Sequence, residues 1–76
     1  MKQILESIIL NIVDDKEAVS IEEKIDGENV VYDVKVANGD MGRVIGRQGR
    51  VAKAIRTLMK SLGAKEKKRI TIEFID

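Results

Sequence analysis

The chain has 76 residues, 43% hydrophobic and 36% charged, with a formal net charge of +1 and neither Cys nor His. That size predicts one domain over residues 1–76, with a small core that buries roughly 60% of the surface the unfolded chain exposes. Without Cys or His, disulfides, thiolate chemistry, zinc fingers and histidine-based catalysis are excluded, and with no apolar run of membrane length and no signal peptide a cytoplasmic protein without membrane attachment is expected.

Residues 2–13 carry Leu5, Ile8, Ile9 and Ile12 at helical spacing, widened by Ile4 and Val13, which predicts an amphipathic helix ended by Asp14 and Asp15. Residues 18–26 and 29–37 are rich in β-branched residues, and Asp26-Gly27 between them reads as a hairpin turn. Val30, Tyr32, Val34 and Val36 share one side of the second strand, whereas Glu23 falls in phase with Val19, Ile21 and Ile25 of the first. Asn38-Gly39-Asp40 predicts a turn in which Asp40 caps a short helix over residues 41–45. A second long helix is expected over residues 50–62, with Val51, Ala54, Ile55, Leu58 and Leu62 as its buried stripe and Gly63 as its stop signal. Residues 69–75 alternate Ile70, Ile72 and Phe74 with Thr71 and Glu73, a final strand.

Charge is segregated along this order. Residues 1–40 hold ten acids against four lysines, and residues 41–69 hold ten bases against Glu66 alone. The basic part coincides with Gly46-Arg47-Gln48-Gly49. There, glycines permit positive φ and close approach to the main chain, and the following helix offers free N–H groups and its positive dipole end to a phosphate. Arg47 and Arg50 add cations at the same place, so the loop is a candidate site for a nucleic-acid backbone.

The longer run Val44-Ile45-Gly46-Arg47-Gln48-Gly49-Arg50-Val51-Ala52-Lys53-Ala54-Ile55 resembles the core motif of the KH domain. In that family an apolar pair precedes a GxxG loop, and an apolar residue stands six positions past the second glycine, the place of Ile55. The predicted order α-β-β-α-α-β is that of the type II KH fold, an α+β domain with a three-stranded sheet covered on one face by helices. In length and motif position the chain looks like the small single-domain proteins of the KhpA family. The resemblance implies that Gly46, Arg47, Gln48 and Gly49 clamp the backbone of about four single-stranded nucleotides. Val44, Ile45 and Ile55 would pack beneath them, with Arg43, Arg50 and Lys53 beside the strand. Arg56 and Lys60 are assigned to long-range field or partner contact.

It implies further a single-stranded RNA ligand, without choosing against single-stranded DNA, and self-association together with pairing to a KhpB (Jag/EloR)-type protein. RNA-chaperone or post-transcriptional work in cell elongation and cell-wall control belongs to the same implication. From the residues alone, Ala52 and Met59 at the edge of the second long helix are the candidate dimer interface. With Tyr32 and Phe74 as the only aromatics, both expected in the core, base stacking on rings is not the main source of affinity. No cofactor, metal or catalytic residue is expected, since Ser7, Ser20 and Ser61 have no His to activate them and no P-loop pattern is present. An adaptor whose partner supplies the RNA binding stays open as the other reading.

Overall fold

The computed structural model describes residues 1–75. Its elements are α1 (Lys2–Leu10), β1 (Ser20–Asp26), β2 (Asn29–Lys35), α2 (Met41–Ile45), α3 (Arg50–Lys65) and β3 (Arg69–Ile75). This is the expected α+β order. The strands form one mixed sheet with β2 in the centre, antiparallel to β1 and parallel to β3.

Period-two alternation places most apolar residues of the three strands on one face, with Val31 and Ile75 on the other. Val30 pairs with Ile70, Tyr32 with Ile72 and Val34 with Phe74, and Val34 faces Ile21 on the other side. These residues meet Leu5, Ile9 and Val13 from the N-terminal segment, and Val44, Ile55 and Met59 from the helical pair, in a single core. On the far face Glu22, Asp33 and Glu73 stand in one cross-strand row, and Lys24 reaches Asp33 at 2.9 Å.

Glu23, the acid in the apolar phase of β1, sits directly opposite Tyr32 and accepts a 2.7 Å hydrogen bond from its buried hydroxyl. A phenol deep in a core needs such an acceptor. Burial, followed by this bond and the nearby carboxylate charge, pushes the Tyr32 hydroxyl well above its ordinary pKa. The out-of-pattern residue therefore supports the strand register.

Five local expectations are corrected. α1 stops at Leu10, because the amides of Ile12 and Val13 both turn back to the Ile9 carbonyl, although Val13 still enters the core. Asp40 stands at the start of α2 but caps nothing there. It is buried, and its two carboxylate oxygens accept the backbone N–H groups of Asp14 and Asp15, both at 3.0 Å. Residues Asn38–Asp40 already form a helical turn leading into α2, so the side chain is free to hold the α1–β1 connection instead.

α3 runs three residues past its predicted end. Gly63 lies inside it, buried where an added Cβ would meet the Ile70 side chain, so this glycine provides room for the helix to lie against β3. The helix is closed by Lys67 in a left-handed conformation (φ 59°), with the Lys68 and Lys67 amides returning to the Gly63 and Ala64 carbonyls at 2.8 and 3.1 Å. This paired closure is a Schellman motif.

The buried stripe of α3 is Ala52, Ile55, Met59 and Gly63, rotated by roughly a quarter turn from the predicted one at ~100° per residue. Small residues let the helix approach the sheet, a signal that counting large apolar side chains overlooks. Ala52 and Met59 are accordingly buried in the core and cannot form the predicted dimer interface, whereas Ala54 and Leu58 are exposed.

The two N–H donors from Asp14 and Asp15, with Arg43 beside them, hold the Asp40 carboxyl below its usual pKa. A lowered folded-state value means that this contribution to stability is fully present above the unfolded pKa of about 3.9 and is lost as pH falls through the lower folded value. Asp40→Asn should lower the urea midpoint at pH 7 and flatten the loss of midpoint between about pH 4 and pH 2 relative to the unmodified chain. Parallel acid profiles for the two proteins would remove this role.

Candidate nucleic-acid interface

The segment between α2 and α3 is built by backbone conformations that few residues tolerate. Gly46 ends α2 at φ 78°, ψ 174°, a region essentially restricted to glycine, and its amide closes the helix on the Gly42 carbonyl at 2.8 Å. A Cβ on Gly46 would overlap Val51 on both its side chain and its amide nitrogen. Residues Arg47–Gly49 then make one tight helical turn, with Gln48 at φ 58° and Gly49 at φ 74°, and the Gly49 amide bonds the Gly46 carbonyl at 3.1 Å. At Gly49 a Cβ would meet nothing within 4 Å. One glycine is thus needed for both its dihedral angles and its space, the other for its dihedral angles alone.

This turn delivers the chain to the start of α3, where no side chain caps the helix. The amides of a helix's first turn have no acceptor within the helix, and its dipole is positive at this end. Arg47 and Gln48 are exposed at this end, and Arg50 leans back to the loop through a 3.3 Å bond from its Nη2 to Gln48 Oε1. Among the described residues, Arg47, Arg50 and Lys53 enter no ion pair. Beneath them Val44 and Ile55 are buried and Ile45 is half-buried, so these apolar residues support the loop from the core side.

Arg43 is placed differently. It pairs with Asp14 at 2.9 Å and with Asp40 at 3.3 Å, which ties α2 to the N-terminal segment. Its charge is largely engaged within the fold, so of the predicted cations the loop's own Arg47, with Arg50 and Lys53, is the available set.

From Lys53 the exposed cations continue along one flank of α3 through Arg56 and Lys60, beside the outer edge of β3. Lys60 lines a hollow with Lys68, Arg69, Ile70 and Thr71. Arg56 does more than add charge, because its Nε donates to the Ile72 carbonyl at 3.2 Å and its guanidinium lies over the Phe74 ring, 5.3 Å from the centroid. Sequence periodicity placed Arg56 on a polar face and could not register its reach around the sheet edge. Also unforeseen was a shallow depression of about 620 Å³ on the outward face of α3, lined by Arg50, Lys53, Ala54, Thr57, Leu58 and Ser61.

The sequence profile of the family described as "KhpA/KhpB, KH domain" matches residues 2–74. The chain is 47% identical to a protein of Clostridium acetobutylicum over 99% of this chain and all of that one. It is 44% identical to a protein of Caldanaerobacter subterraneus with the same coverage, and 37% identical to one of Chlamydia trachomatis over all of this chain and 97% of that one. Each of these relatives is named RNA-binding protein KhpA. No solved structure matches the chain.

The two loop glycines should separate in a stability assay. Gly49→Ala meets only the left-handed penalty and should cost about 1–2 kcal/mol. Gly46→Ala adds overlap with Val51 and should cost roughly 2–5 kcal/mol in urea unfolding. Equal losses would show that the Val51 contact does not constrain the loop.

Proposed function

The chain belongs to the KhpA/KhpB KH-domain family, and on that premise we propose that it is an RNA-binding protein, a single KH domain over residues 1–76 that grips a single strand by its backbone. The observation that carries this reading is the exposed Arg47-Gln48 pair, held at the uncapped start of α3 by two glycines of positive φ, with Arg47 in no ion pair among the described residues. A phosphate at this turn gains the helix end and the Arg47 and Arg50 guanidinium groups together. Neighbouring phosphates pass along Lys53 and on toward Lys60.

The bases face an aliphatic and backbone surface, since Tyr32 is buried and Phe74 is half-buried under Arg56. Affinity then rests on few phosphate contacts. Three of them, at ~0.7 per contact in a single strand, give a fall of about two decades in binding constant per decade of salt. Such binding is weak for one domain, and a second copy or partner strengthens it by raising effective concentration.

Self-association belongs on the outward face of α3, where Leu58 is 45% exposed beside Ala54, Thr57 and Ser61. The same face is available to a KhpB-type (Jag/EloR) partner. Family membership alone supports the wider role: post-transcriptional or RNA-chaperone work in the cytoplasm, serving cell elongation and cell-wall control. The function is binding rather than catalysis.

Replacing Arg47 and Gln48 together by Asp should leave the circular dichroism spectrum unchanged and lower affinity for a single-stranded RNA, read by fluorescence anisotropy, by at least tenfold. Retained affinity in the folded variant overturns the clamp and favours an adaptor whose partner binds RNA. Leu58→Glu should reduce the mass seen by light scattering to that of one chain. A mass equal to that of the unmodified protein, whether monomer or dimer, removes this face as the contact.

A further inference from the structure

Arg56 is held in a way that an ordinary solvated cation is not. It projects from the flank of α3 toward the outer edge of β3, and two independent contacts fix it there: Nε–H to the Ile72 carbonyl at 3.2 Å, and the guanidinium over the Phe74 ring at 5.3 Å. Neither contact uses a carboxylate, and among the described residues Arg56 has no ion pair. Its charge is therefore uncompensated, while its position is set.

The bond through Nε leaves the fork of terminal nitrogens. Guanidinium carries donors only. Two parallel N–H groups held in a plane match a base edge with two adjacent acceptors: N7 and O6 of guanine, or N3 and O2 of an unpaired cytosine, and of the two purines guanine alone. Adenine presents N7 beside an amino group, so one donor of the fork would meet another donor. Arg56 lies between Lys53 and Lys60 along α3, on the flank that carries the exposed cations away from the glycine loop.

From these contacts we infer that Arg56 is a base-selecting residue, which prefers guanine over adenine at the nucleotide lying against the β3 edge. The inference rests on the RNA-binding reading above and adds to it a chemical preference that the loop, which meets only backbone, cannot supply. Phe74 and the Ile72 carbonyl act as positioning groups. They hold the fork in place before RNA arrives, so that little side-chain freedom is lost on binding.

The test uses the full chain and two sets of fluorescent RNA oligomers of eight nucleotides. In each, uridines surround either one guanine or one adenine, and the purine is stepped through all positions. The unmodified protein should bind the best guanine oligomer about tenfold or more tightly than its adenine counterpart. Arg56→Lys keeps the charge but removes the planar fork; it should reduce that ratio to near one while leaving the salt dependence unchanged. Phe74→Leu, checked for folding by circular dichroism, should reduce the ratio partway.

Equal binding of guanine and adenine oligomers by the unmodified protein overturns the inference and leaves the backbone clamp standing. A guanine preference that survives Arg56→Lys also overturns it, by placing selection elsewhere. Absence of RNA binding at every salt concentration tried overturns the RNA reading itself, and the inference with it.

Discussion

The parallel pairing of β2 with β3 is the constraint on which the rest depends. Antiparallel neighbours can be joined by a two-residue turn, as β1 and β2 are, but parallel neighbours require the chain to return across the sheet. The return here is α2, the glycine loop and α3, so the loop and all the cations of the proposed interface lie in one crossover. Its ends are anchored by the β2–β3 ladder, and its two helices are pinned from below by Val44, Ile55 and Met59. The loop lies between the two helices of a bridge held at both ends, so its backbone is positioned by the same contacts that build the core.

Charge follows the same division. Five of the ten acids of residues 1–40, Glu22, Glu23, Asp26, Glu28 and Asp33, lie on the β1–β2 hairpin, and Glu22 and Asp33 share a row on the sheet's far face with Glu73 of β3. The bases of the crossover gather at the loop and along α3. The other five acids, Glu6, Asp14, Asp15, Glu17 and Asp40, lie in α1, in the segment that follows it or at the start of α2, and of these Asp14 and Asp40 pair with Arg43 while Asp40 also accepts backbone amides. A polyanion approaching the molecule thus meets attraction on the helical side and repulsion behind it, which orients the encounter before contact.

Much of this was legible in the amino-acid order. Alternation found the strands, Asp26-Gly27 found the hairpin, and the glycine spacing found the loop, because each of these signals acts through neighbours in sequence. The failures have a common physical cause. Gly63 read as a stop because glycine often ends helices, yet here it serves a long-range contact with Ile70 that sequence spacing cannot express. The stripe of α3 was misplaced for the same reason, since its orientation is decided by how closely a helix can approach a sheet. Asp40 kept its position but changed its partner, because Asp14 and Asp15 come near only after folding.

A three-stranded sheet also has two outer edges, each a template on which another chain could add a strand. The edge at β1 carries Glu22, Glu23, Lys24 and Asp26 within one seven-residue strand, charge enough to discourage a neighbour. β3 has a more apolar sequence, and it is the Arg56 side chain, seated on the Ile72 carbonyl, that occupies the outward hydrogen-bonding position at its middle. One guanidinium thereby takes the acceptor through which an added strand would pair at the middle of this edge, so the side chain that carries charge along α3 also interrupts the template beside it.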